Sequence, residues 1–111
     1  HWQSRGLGDV YKRQAKEILS SKSNNFNFLK EIIDLRMVNI FIDLEDLERA
    51  KKILSNNFTT YQTNKLILQG DIFATEKKFK DAKKKYVDAL ARSENETQRN
   101  LINLKISTLT E

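Results

Sequence analysis

No cysteine and no proline occur among the 111 residues, and glycine occurs three times. Lack of cysteine excludes a disulfide framework and thiolate metal sites. Lack of proline removes the residue that most often breaks helices. With abundant Lys, Asn, Ile and Leu, the composition is that of an all-helical chain. Histidine and tryptophan occur once each, at His1 and Trp2, and there is no Gly-rich phosphate loop. The acidic cluster Asp43, Glu45, Asp46 and Glu48 lacks the glycine and terminal glutamate of a calcium loop. It suits a helix N-terminus instead, through the dipole. Catalysis has little to work with, and nothing in the sequence asks for a cofactor or a metal. No apolar run approaches the ~18 residues of a membrane span.

The first fourteen residues, HWQSRGLGDVYKRQ, differ in character from the rest. Ser4 to Gln14 resemble, without a gap, the read-through translation of a transposase-type sequencing adapter. Residues 1–14 are therefore set apart as a non-native segment without regular structure. Residues 15–111 remain as one domain, read as the C-terminal fragment of a longer protein. The net charge of +5 falls to +3 once Arg5, Lys12, Arg13 and Asp9 are left out. Such a balance is too modest to argue for nucleic acid.

The most strongly patterned stretch is Leu66 to Leu90, LILQGDIFATEKKFKDAKKKYVDAL. It reads as two antiparallel helices. Phe73 follows Gly70 by three residues, and Phe79, Ala82, Tyr86 and Ala89 then follow at offsets of three, four and three. This spacing resembles a tetratricopeptide repeat, a helical hairpin of ~34 residues, with Leu66 where that pattern has Trp. Small residues at Gly70 and Ala82 are expected to let facing helices approach closely, with Phe73 and Tyr86 beside the contact.

A second, degenerate copy lies upstream at a shift of 32. Ile40 and Phe41 fall on Ile72 and Phe73, Leu47 on Phe79, Ala50 on Ala82 and Leu54 on Tyr86, while Val38 stands where Gly70 stands. The stretch from Phe28 to Ile42 is apolar enough to predict burial on more than one face. The polar run Ser20 to Asn25 is expected to close an earlier helix, Ala15 to Ser21. Asp43 to Asp46 are read as a turn. Asn56-Asn57 are expected to end the next helix in the left-handed conformation. Thr59 or Thr60, and then Thr75, are candidate N-caps. Ser93 to Thr97 form a polar link, and Leu101, Ile102, Leu104, Lys105, Ile106 and Leu109 a final capping helix. Its solvated outer face would come from Asn100, Asn103, Lys105, Ser107 and Thr108. The fold class is thus all-α: about two helical hairpins and a C-terminal cap. Such arrays usually need about three repeats, so the fragment is expected to be marginally stable.

Two surfaces are candidates for function. In the Lys-rich helix, Lys77, Lys80 and Lys84 project opposite the apolar face, as a solvated surface or one drawn to an anionic lipid or acidic partner. In repeats of this kind the first helix of each pair lines a concave wall. That geometry nominates Leu35, Asn39 and Ile42 from the first copy, and Asn64, Ile67, Asp71 and Ala74 from the second. A mixed apolar and amide lining suits extended polypeptide, although each position is also a candidate for the core.

Beyond the generic repeat, residues 15–111 resemble the C-terminal part of the ancillary SecYEG translocon subunit family of bacteria. Leu35-Arg36, Leu68-Gln69-Gly70-Asp71-Ile72, Ala82 to Leu90 (AKKKYVDAL) and Leu101…Lys105-Ile106…Leu109 carry the resemblance. Gln69 stands where that family commonly has Arg. The resemblance implies a protein-interaction domain on the periplasmic side of the inner membrane, anchored by a segment expected upstream. Its implied partners are the Sec translocon, a periplasmic folding factor of the prolyl-isomerase-like type, and client polypeptide. The other reading of the same repeats is a scaffold in the cytosol or in envelope assembly, unrelated to secretion.

Overall fold

The structure, a computed structural model, describes Val10, residues 12–14 and residues 23–109. The expected helix Ala15 to Ser21 lies outside the described residues. Val10 and residues 12–14 are helical, where no regular structure was expected. Five further helices follow: α1 Ser23–Asp43, α2 Leu47–Leu54, α3 Gln62–Thr75, α4 Phe79–Ala91 and α5 Glu96–Ser107. No strand occurs among the described residues. Two compact units are distinguishable, His1–Lys30 and Glu31–Glu111. In the first, Phe26, Phe28 and Leu29 are exposed. The packing described next is that of the second.

Two cores form there, one on each side of α3. Leu35 and Val38 meet Ala50, Leu54 and Phe58, with Leu68 and Ile72 of α3 completing the cluster. Ile67 of α3 joins Ala82, Tyr86, Ala89 and Ile102 in the other. Leu54, Ile102 and Val38 are fully buried, each contributing about 1.5–3 kcal/mol by leaving water. Repeat positions Phe41 and Leu47 pack on the first core from its edge, and Leu66 and Phe73 on the second. Phe79 is half-buried.

The two hairpins turn in the same way. Asp46 N–H donates to Phe41 O and Glu45 N–H to Ile42 O; Lys78 N–H donates to Phe73 O and Lys77 N–H to Ala74 O. Each is the hydrogen-bond pair that closes a helix through one left-handed residue. That residue is Glu45 at φ 60° and Lys77 at φ 61°. Left-handed geometry was expected at Asn56-Asn57, but α2 ends in the right-handed Ser55.

Several further expectations are corrected. The polar run Ser23-Asn24-Asn25 belongs to α1 rather than to a linker. This helix buries one face only. Ile33, Met37, Ile40 and, just past the end, Leu44 are exposed, on the line opposite Glu31, Leu35, Val38 and Ile42 at 100° per residue. No described element covers that line, so its apolar side chains stay in solvent. Neither Thr59 nor Thr60 caps α3; its N-cap is Tyr61, without a side-chain hydrogen bond. Thr75 is the last residue of α3 and donates to Asp71 O, and the N-cap of α4 is Lys78, without a side-chain hydrogen bond. Asp46 does cap α2, accepting from Arg49 N. Asn95 caps α5, accepting from Gln98 N, and Gln98 accepts in return from Glu94 N.

α3 is capped from a distance. The Glu31 carboxylate accepts from Thr59, Thr60 and Tyr61 N–H at 3.1, 3.0 and 3.0 Å, and from the Thr59 hydroxyl at 3.2 Å. Tyr61 is the N-cap of α3 and Thr59 and Thr60 lead into it, so the carboxylate is favoured by hydrogen bonding and by the dipole of the helix it adjoins. At a shift of 32 from Glu31 stands Thr63, which is also buried and donates to Arg92 O at 3.1 Å. Each hairpin thus ties its first helix, at Glu31 within α1 and at Thr63 in the first turn of α3, to the exit of its second through a buried polar side chain.

Candidate functional site

α3 presents two opposite faces, and each lines a recess. On one side Asn64, Ile67, Leu68 and Asp71 meet Leu35 and Asn39 of α1 and Leu101 and Lys105 of α5. The recess they enclose is about 200 Å³. Its floor is apolar, since Leu35, Ile67 and Leu68 are all buried. Its rim carries two exposed amides, Asn39 and Asn64. Asn39 donates to Leu35 O in its own helix at 3.1 Å, which leaves its amide oxygen available as an acceptor.

Asp71 is the one acid in the lining, and it is already engaged. The Tyr86 hydroxyl donates to Asp71 Oδ1, and Lys105 Nζ lies 3.0 Å from the same oxygen. Burial, reinforced by the bond to Asp71, pushes the Tyr86 phenol well above its ordinary range. Tyr86 therefore stays protonated and donating, and Lys105 balances the carboxylate charge. What the groove offers a ligand is a neutral amide rim over an aliphatic floor.

This network depends on Gly70. A Cβ there would lie 2.5 Å from Tyr86 Cε1 and 2.7 Å from Cδ1. The aromatic ring lies against the α3 backbone, and only glycine leaves room for it. What lies nearest to Gly70 across the helix pair is the Tyr86 ring. Ala82 is fully buried in the core that Tyr86 shares.

Five of the seven positions nominated for a concave wall, Leu35, Asn39, Asn64, Ile67 and Asp71, come together in this groove. Ile42 and Ala74 do not; they pack against the first and second cores respectively. Leu68, Leu101 and Lys105 line the groove without having been nominated. Lys105 was assigned to the solvated face of the last helix but turns inward to Asp71. Leu101 and Leu104 are exposed in its stead, so the cap's outer surface is partly apolar. In the Lys-rich helix Lys80 and Lys84 are exposed as its periodicity indicates, whereas Lys77, also exposed, lies in the turn before α4 rather than on the helix.

No helix among the described residues is long and apolar enough to cross a membrane. Among the same residues no group of three or more His, Cys, Asp or Glu side chains is placed to hold a metal ion. The tetratricopeptide repeat-like domain family matches residues 8–111; the chain belongs to that family. The match begins inside the segment set apart at the N-terminus. Comparison with curated proteins and with solved structures finds no match.

Proposed function

We propose that this tetratricopeptide repeat-like domain is a non-catalytic protein-interaction module that takes extended polypeptide in the groove between α1, α3 and α5. The observation that carries the reading is the lining itself. Two exposed amides flank an apolar floor, and the only carboxylate is neutralised in place by Tyr86 and Lys105. Amides hydrogen-bond a peptide backbone whatever its sequence, and the aliphatic floor accepts apolar side chains without selecting one. Family membership supports a scaffold that binds proteins.

The finer proposal is that the intact protein serves beside the bacterial Sec translocon as its ancillary subunit. It would act on the periplasmic side, anchored by an upstream segment, and handle emerging chains together with a prolyl-isomerase-like folding factor. The sequence resemblance through Leu68 to Ile72, AKKKYVDAL and Leu101 to Leu109 supports it.

Binding of a permanently unfolded, thiol-blocked reporter polypeptide tests the groove. Replacing Asn39 and Asn64 together with Ala should weaken binding about tenfold, the loss expected for two modest hydrogen bonds. Unchanged binding in that variant rejects the site. For the finer proposal, a photo-crosslinker at Leu101 of the intact protein should trap nascent chains or channel subunits in cells. Adducts only with cytosolic proteins would exclude the translocon role.

A further inference from the structure

The opposite face of α3 carries a second groove, different in charge from the first. One recess of about 260 Å³ is lined by Lys51, Ser55, Gln69 and Lys85 over Leu54, Ile72 and Phe73. A neighbouring recess of about 300 Å³ includes Gln62, Lys65 and Arg92, with Phe58 and Leu66 beneath. Gln69 and Lys85 line both, so the two recesses share a wall and together make one basic channel-like face along α3, beside α2 and α4.

Four basic side chains line this channel and no carboxylate does. Lys51 has its charge answered by Glu76 at 2.8 Å. The others do not. Lys65 Nζ donates to Asn56 O and stands 5.5 Å from the Phe58 ring centre. Arg92 donates to the neutral Gln62 amide. Among the described residues, neither these two nor Lys85 is paired with an acid. Three positive charges thus rim an apolar floor.

We propose that this face docks an acidic amphipathic polypeptide segment, with its apolar side chains over Leu54, Ile72 and Phe73 and its carboxylates on Lys65, Lys85 and Arg92. Charge complementarity and shape both select that occupant. A bilayer surface could meet cations projecting from a helix, but it could not enter recesses walled by α2 and α4. Single-stranded nucleic acid wants exposed aromatic faces to stack on. Here Phe58 is buried and Phe73 partly so.

The test uses the full chain and a fluorescent peptide as long as α3, 14 residues, with Leu at helical spacing and Glu elsewhere. Saturable binding is expected, weakened about tenfold when Lys85→Glu and Arg92→Glu are combined. The control pair Lys80→Glu with Lys84→Glu changes net charge equally, away from the channel, and should alter binding less than about twofold. The Asn39→Ala, Asn64→Ala variant should bind the peptide normally, so this surface and the first groove stand or fall separately. A melting curve verifies folding of each variant. No saturable binding by the parent overturns the proposal. So do equal losses from both charge-reversed pairs, or binding of a Gln-for-Glu peptide as tight as that of the acidic one. Association with phosphatidylglycerol vesicles but not with the peptide assigns the face to lipid and overturns it as well.

Discussion

The hairpins α1–α2 and α3–α4 place equivalent residues 32 positions apart and use them differently. Ile40 and Ile72 occupy the same repeat position, yet Ile40 is 50% exposed and Ile72 3%. α3 has a core on either side, whereas no described element covers the outer line of α1. Position in an array, not residue type, decides burial here, as nearest-neighbour stacking requires. A second contrast lies inside the hairpins. Val38 shares a core with Leu54, while at the equivalent places Gly70 lies against Tyr86. The same space is divided evenly in one copy and unevenly in the other, and only the uneven division admits a hydroxyl that reaches Asp71.

The largest effect should come from disturbing that division. Gly70→Leu should cost about 3 kcal/mol by overpacking against a ring held in place, read by urea unfolding. Gly70→Val should also destabilise, but adding Tyr86→Leu converts the second hairpin to the packing of the first. The double variant should then be more stable than Gly70→Val alone, with a coupling of at least about 1 kcal/mol. Strictly additive losses would show that the two positions do not share one space.

Next come the buried tethers. Glu31→Ala leaves three N–H groups without their acceptor and should cost about 2–3 kcal/mol. Thr63→Val, which removes one hydrogen bond, should cost about 1 kcal/mol. Equal losses in thermal melts would deny that Glu31 does more than its counterpart.

Tyr86 supplies a pH dependence with a definite sign. Its phenol is held protonated in the folded state, above the ordinary value of 10.0. Unfolded chains therefore release this proton first, so the stabilisation is complete below pH ~10 and is lost as the pH rises beyond it. Tyr86→Phe should cost about 1 kcal/mol at neutral pH and fall less steeply in stability above pH 10. Parallel profiles would separate the hydroxyl from the alkaline transition.

The smallest change should stabilise. Lys77→Gly, or Glu45→Gly, relieves a left-handed side-chain residue and should gain about 0.5–1 kcal/mol in a melt. A loss at one site and a gain at the other would mean that the matching turns are held by different forces.

The hairpin was legible because Gly70, Phe73, Ala82, Tyr86 and Ala89 are spaced by packing, and packing leaves a periodic trace. Helix ends were read less well. Asn56-Asn57 carry the customary left-handed signal, but the turns use Glu45 and Lys77, where a hydrogen-bond pair overrides preference. Thr59 and Thr60 look like caps, yet the cap comes from Glu31, 28 to 30 residues away. No local pattern reports such a contact. The first groove was legible in part along α1 and α3, where Leu35, Asn39, Asn64, Ile67 and Asp71 follow from period, but Leu68 was missed and Ile42 and Ala74 turn to the cores. Leu101 and Lys105 were missed because the angle at which α5 returns is not a local property.

The reach of Glu31 also bears on how the molecule opens. The amides of Thr60 and Tyr61 precede any intrahelical partner, so in an ordinary helix they would exchange with solvent as the end frays. Here Glu31 holds them, and they are released when that part of α1 leaves the loop after α2. Their exchange rates therefore report the breathing of the first hairpin as a unit, and amide exchange can follow that motion at two residues that belong to the second.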